Sequence, residues 1–196
     1  MKAFLTHWSG DWTWVKDFTD DYEIWNRSDE EVPNSVPREN KGDADYDKLI
    51  WLVDNYDNLP ETFLWSKSNL FQFITPEEFD KVKNNTEFTP LLTKNHKTYE
   101  PVCRYNGDIY EEQNNSWYLA SVPAKYFQSY GEFAQAFHLP NPPYLKFAPG
   151  GSYILTRERV HRYSRDYYEE LASLLPYAQR PGEAHMLERT YHTLWS

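Results

Sequence analysis

Short apolar runs alternate with helix-period stripes along the first third of this chain, and that order limits the folds open to it. The run Ala3-Phe4-Leu5 lies within a strand expected over residues 2–8, and a short helical stretch follows at 12–18. A second strand is expected at 22–26. A loop punctuated by Pro33, Asn34, Pro37 and Gly42 leads from it to a helix over residues 43–56. That helix carries Leu49, Ile50, Leu52, Val53 and Tyr56 as an apolar stripe behind an acidic first turn. After Asn58-Leu59-Pro60, residues 62–65 read as a third, buried strand. A β-then-α order repeated in this way predicts an α/β fold, a mostly parallel sheet flanked by helices in a single domain. Functional groups in such sheets gather beyond the carboxyl ends of the strands. Here those ends are Thr6-His7-Trp8, Asn26-Arg27-Ser28-Asp29 and Ser66-Lys67-Ser68, all able to ring one crevice.

The later chain adds clear local signals. Thr75-Pro76-Glu77-Glu78 combines an N-cap, a proline at the first helical position and a capping-box glutamate. Residues 84–120 give little beyond a hairpin signal at Asn106-Gly107. Phe127, Tyr130, Ala134 and Phe137 recur at helical spacing, and a strand is expected at 151–156. Thr156 caps a short helix reaching Arg162, Tyr167 to Leu175 mark a longer one, and a last helix shows Ala184, Leu187, Tyr191, Leu194 and Trp195 on one face.

Composition removes several function classes. The 196 residues suit one domain, and no apolar run approaches the ~18 residues of a membrane span. Polar residues follow Ala3-Phe4-Leu5 too soon for a signal peptide. The single cysteine, Cys103, forms neither a disulfide framework nor a thiolate zinc cluster, and with no patterned partner it reads as an inert thiol. A soluble, cytoplasmic protein is the expectation, with N-x-S/T matches at Asn26, Asn84 and Asn114 arising by chance. The net charge of −10 argues against nucleic acid as a partner, because acids interleave even the cluster Arg157, Arg159, Arg162 and Arg165. Aromatic residues make up 18% of the chain, enough to fill the core and to supply faces for nucleobases or sugar rings.

Three stretches carry a resemblance to a known family. Residues 49–60 end in Asp57-Asn58-Leu59-Pro60 with the strand at 62–65 behind them. Residues 147–160 open with Phe147-Ala148-Pro149-Gly150-Gly151-Ser152, and residues 181–189 open with Pro181-Gly182-Glu183-Ala184-His185. In order and spacing these are similar to glycosyltransferases of the GT-A fold, most closely a GT-A-like family of fungi and some viruses. The resemblance implies a Rossmann-like sheet and transfer of a sugar from a nucleotide-diphosphate donor to a glycan or small hydroxyl acceptor, with inversion.

The same resemblance implies residue roles. Thr6, His7, Trp8, Asn26, Arg27 and Asp29 match in place the residues that hold the nucleotide. Gly150 and Gly151 match a segment under the donor diphosphate, with Ser152 and His185 on the acceptor side, and Glu183 matches the general base. Read without it, Gly150-Gly151 is a tight turn after Pro149, Glu183 a first-turn helix charge and His185 a surface residue. Trp8 is then core packing, and Glu188-Arg189 a helix-surface pair.

The departure concerns metal. Family members typically end this strand with an Asp-x-Asp that holds Mn²⁺ or Mg²⁺, and here the position reads Ser66-Lys67-Ser68. The expectation is therefore no metal cofactor, with Lys67 meeting the diphosphate and Ser66 and Ser68 beside it; a Mn²⁺ or Mg²⁺ requirement stays open. The literal Asp43-Ala44-Asp45 opens a helix and reads as a complement to the helix dipole. Two rivals remain. One is a sugar- or nucleotide-binding module without catalysis, which the loss of Asp-x-Asp favours. The other is a glycoside hydrolase, which needs a carboxyl pair ~5–9.5 Å apart that no spacing here implies.

Overall fold

The computed structural model describes residues 1–93, 103–107 and 109–196. Six strands form the main sheet: β1 (Lys2–His7), β2 (Tyr22–Asn26), β3 (Val36–Pro37), β4 (Thr62–Lys67), β5 (Thr89–Pro90) and β9 (Tyr153–Thr156). Their order is β3-β2-β1-β4-β9-β5. The first four run parallel, with Leu5 opposite both Ile24 and Ser66. β9 and β5 are antiparallel to their neighbours, so the sheet is mixed. The helix expected at 43–56 is α2 (Asp43–Asn55), and that at 12–18 shortens to α1 (Val15–Phe18).

Strand alternation sorts the core into two layers. Phe4, Trp25, Phe63, Trp65, Tyr153 and Leu155 face one side, where α2, α7 (Arg165–Ser173) and α9 (Tyr191–Trp195) cover them. Ala3, Leu5, Ile24, Leu64 and Ile154 face the other, against α1 and α3 (Pro76–Val82). Covered on both faces, β1 and β4 read as continuous apolar runs. Aromatic contacts dominate the first layer: Phe4 stacks on Trp51 with ring centres 4.7 Å apart, and Trp65 meets Trp195 edge-on at 5.1 Å.

A second, three-stranded antiparallel sheet joins β6 (Cys103–Tyr105), β7 (Tyr110–Gln113) and β8 (Tyr144–Phe147). The Asn106-Gly107 signal lies in the link between β6 and β7. α4 (Tyr118–Ser121) and α5 (Tyr130–Ala136) intervene before β8, and α6 (Arg157–Val160) follows β9 under its Thr156 cap. The single last helix expected from its stripe is two: α8 (Gly182–Glu188), then α9 after Arg189-Thr190. No helix among the described residues is long and apolar enough to cross a membrane.

Candidate functional site

The carboxyl ends of β1, β2 and β4 come together as the topology requires. Ladder-type bonds run past the strand ends: Arg27 donates its backbone N–H to the His7 carbonyl (2.8 Å), and Ser68 donates to that of Thr6 (2.9 Å). His7 Nδ1 and Ser68 Oγ share a hydrogen bond of 2.8 Å. Beyond these ends lies a cavity of about 390 Å³, lined by Thr6, His7, Trp8, Arg27, Lys67 and Ser68. Its far wall comes from the start of α2, through Asn40, Asp43 and Ala44, and from Gln179 and Arg180 ahead of α8.

The charge balance of the cavity opposes that of the chain. Arg27, Lys67 and Arg180 line it with one carboxylate, Asp43, in a chain that carries −10, and Arg27 is also paired behind the wall with the buried Asp47 at 3.5 Å. Lys67 Nζ lies 3.9 Å from Asp43 Oδ1. Burial works against the Lys67 cation, yet Asp43, Asp45 and Glu188 outweigh it and raise the lysine above its usual value. Burial likewise opposes the Asp43 anion, but Lys67, the Ala44 N–H, Arg27 and His185 hold its carboxyl below the usual range. Arg27 is lowered, because desolvation exceeds the support of Asp47, Asp43 and Asp45.

Three buried polar atoms on the lining residues make no hydrogen bond in the structure, Thr6 Oγ1, His7 Nε2 and Arg27 Nε, and Arg27 Nε lies 3.5 Å from the buried Asp47 carboxylate. Thr6 and Arg27 are 3% and 6% exposed and His7 is fully buried, so these atoms lie behind the surface of the cavity. His7 Nε2 has only the exposed Glu30 carboxylate at 3.5 Å. Trp8, expected in the core on one reading, is 49% exposed at the rim.

Five of the predicted donor-side residues, Thr6, His7, Trp8, Arg27 and Ser68, therefore line one cavity with Lys67. Others do not reach it. Asn26 folds back on its own turn: its Oδ1 accepts from the Ser28 N–H (3.0 Å) and hydroxyl (2.8 Å), and its Nδ2 donates to the Glu30 carbonyl (2.8 Å). Asp29 stands exposed on that turn. Ser66 and Ser152 are buried and hydrogen-bonded to each other at 2.9 Å, tying β4 to the residue before β9.

Gly150 and Gly151 also lie outside the cavity, and left-handed backbone and hydrogen bonds account for both. Each has left-handed backbone, and the Gly150 N–H donates to Glu188 Oε1 (2.7 Å) while the Gly151 carbonyl accepts from the buried Lys48 ammonium. Burial lowers the Lys48 cation to about 7 despite Asp45. Asp45 is not a solvated helix-dipole charge either: it is buried and accepts from the Tyr191 hydroxyl at 2.9 Å.

Glu183 departs most from the role the resemblance implies. It is fully buried, its Oε1 accepts from the backbone N–H groups of Lys125 (2.8 Å) and Tyr126 (2.7 Å), and its Oε2 accepts from the Tyr177 hydroxyl (2.6 Å). Both oxygens are occupied away from the cavity, so Glu183 anchors a loop. His185 lies edge-on to Trp117, with ring centres 5.6 Å apart. Burial lowers its imidazole, with Arg189 and Lys67 acting the same way against Glu188 and Asp43. Arg189 is no surface residue: it is 2% exposed and paired with the fully buried Glu112 of β7 and with Glu188.

Sequence reasoning missed Asp43, Asn40, Gln179 and Arg180. The signal for Asp43 is conformational. Gly42 and Asp43 are both left-handed (φ +73° and +54°) and donate their N–H groups to the carbonyls of Ala178 (2.7 Å) and Gln179 (2.8 Å). That pair of bonds straps the 178–180 segment across the cavity and aims the Asp43 carboxylate at Lys67. Among the described residues no group of three or more His, Cys, Asp or Glu is arranged to hold a metal ion. Compared with protein-family models, curated proteins and solved structures, the chain finds no match.

Proposed function

We propose that this protein binds a nucleotide-diphosphate sugar in the cavity at the ends of β1, β2 and β4 and transfers the sugar to a hydroxyl acceptor. The observation that carries this reading is a cavity lined by Arg27, Lys67 and Arg180 at the carboxyl edge of parallel strands. Three cationic side chains line this crevice in a chain of net charge −10, which favours an anionic ligand. The volume of about 390 Å³ is within the range of small-molecule and nucleotide sites. The half-exposed Trp8 ring supplies a face for a base. The transfer step itself rests on the resemblance of residues 49–60, 147–160 and 181–189 to GT-A glycosyltransferases.

In this reading the acceptor oxygen bonds to the anomeric carbon as the bond to the diphosphate breaks, and the charge growing on the leaving group meets Lys67 and Arg27. In this reading Asp43, the acidic side chain that lines the cavity among the described residues, takes the acceptor proton in place of Glu183.

Calorimetry with UDP, GDP, ADP and CDP tests the binding step, and donor hydrolysis with and without EDTA tests the chemistry. Lys67→Ala should weaken nucleotide binding by about 10–100-fold, the scale of a charge-assisted bond, and turnover should survive EDTA. Failure of all four nucleotides to bind at millimolar concentration would refute the reading. Loss of turnover in EDTA with recovery in Mn²⁺ would refute the lysine's part. A second reading, binding without catalysis, draws on the Lys67–Asp43 pairing and on the occupied oxygens of Glu183. Nucleotide binding with no donor hydrolysis or transfer would select it.

A further inference from the structure

Beside the strap that crosses the cavity, two tyrosine rings stand in solvent. Tyr126 is 46% and Tyr177 36% exposed. The rings meet edge to face, centres 5.8 Å apart, and the exposed Lys125 ammonium sits 4.8 and 5.4 Å from them. One buried carboxylate fixes the group, since Glu183 bonds the Lys125 and Tyr126 N–H groups on one oxygen and the Tyr177 hydroxyl on the other. Surface aromatics with their backbone and hydroxyl tethered have little freedom left to lose on binding. Glu183 is thus spent on presenting a surface.

The pair does not line the cavity, but the chain links the two closely. Tyr177 lies two residues before Gln179, at most about 7 Å of chain, and Gln179 lines the cavity while its carbonyl holds the Asp43 N–H. A pyranose offers an apolar C–H face edged by hydroxyls, which matches a tyrosine face edged by its own hydroxyl. Lys125 adds a cation at the edge of both rings in a strongly acidic chain, and so complements an anionic substituent on that sugar.

We propose that Tyr126, Tyr177 and Lys125 form the acceptor subsite, and that the acceptor is a uronate-bearing saccharide stacked on the tyrosines with its carboxylate on Lys125. This rests on the cavity being the donor site.

The full chain is titrated with a short hyaluronan oligosaccharide and with a neutral chitin oligosaccharide of equal length, in the presence and absence of the nucleoside diphosphate that binds best. The acidic sugar should bind about tenfold more tightly than the neutral one. Tyr126→Ala should weaken it about tenfold, and Lys125→Gln should erase the preference for acid. Tyr126→Phe keeps the ring and the backbone N–H that Glu183 holds, and should retain most of the binding, separating stacking from any disturbance of Glu183. None of the three should change nucleotide affinity. No saccharide binding by about 10 mM, an affinity untouched by Tyr126→Ala, or equal binding of acidic and neutral sugars overturns the proposal. Nucleotide binding without saccharide binding removes the acceptor subsite alone, whereas saccharide binding without any nucleotide removes the donor reading and leaves the platform.

Discussion

Replacing Gly150 with alanine should destabilise the protein far more than the same change one residue on. Both glycines are left-handed, at φ +84° and +61°. An L-residue there loses roughly 1–2 kcal/mol to the contact between its Cβ and its own backbone, and both variants share that loss. They differ in what the new methyl meets. At Gly150 it falls 2.5 Å from Cδ2 and 2.7 Å from Cγ of the Phe73 ring, whereas at Gly151 its nearest neighbour is the Lys48 ammonium at 3.5 Å, an ordinary contact. Overpacking of this kind costs about 1–3 kcal/mol. Gly151→Ala should therefore lose about 1–2 kcal/mol, and Gly150→Ala about 2–5 kcal/mol. Urea unfolding resolves the two, since an m-value of about 2–3 kcal/mol/M turns the larger loss into a midpoint shift of roughly 1–2 M. Adding Phe73→Ala to Gly150→Ala removes the clash and should recover the steric part, although Phe73→Ala alone destabilises. Equal losses at 150 and 151, or no recovery with Phe73→Ala, would refute the packing account.

Glu183→Gln should lower stability by about 1–3 kcal/mol, because a carboxylate holding three donors loses one acceptor, and should leave nucleotide affinity unchanged. Unfolding and calorimetry on one preparation check both, and unchanged stability with lost turnover would return Glu183 to the chemistry. Burial, aided by Lys146, lowers the His192 imidazole to about 4. Between that value and the ~6.5 of an unfolded histidine, the unfolded chain binds a proton that the folded chain refuses. Stability should therefore fall as pH drops across this window, by up to about 1.4 kcal/mol per pH unit from this group. His192→Gln should flatten that stretch of the profile measured by denaturant midpoints.

Local signals made half of this architecture readable. β1, β2 and β4 are legible because strands covered on both faces need unbroken apolar runs, and Thr75 because its hydroxyl accepts from the Glu78 N–H (3.2 Å), although its own N–H goes to Thr93 Oγ1 (2.8 Å) and the expected capping box does not close. The polar strand ends follow from topology alone, and five of those residues line the cavity. What escaped depends on partners distant in sequence. The direction of β9 is set by its pairing with β4, nothing in Tyr153-Ile154-Leu155 encodes it, and the break at Arg189-Thr190 answers to the burial of Arg189 against Glu112. Glu183 and Asp43 are both acids in a helical first turn and look alike in sequence. Only the loops that reach them, 123–126 at one and 178–180 at the other, make one an anchor and the other a wall of the cavity.

Helix α8 is only seven residues long, yet it and the residue after it hold four separate parts of the molecule. Glu183 holds the 123–126 loop, His185 meets Trp117, Glu188 receives the Gly150 N–H, and Arg189 is buried against Glu112. The consequence concerns how such a sequence diverges. Substitutions in contact do not add, and a lone change at Arg189 strands a buried carboxylate at about 3–5 kcal/mol. Positions 112 and 189 are thus bound to vary together or not at all, and 150 is tied to 73 by the space between them. A set of descendants of this chain would carry that coupling as paired substitutions, with α8 as the point where the pairs converge.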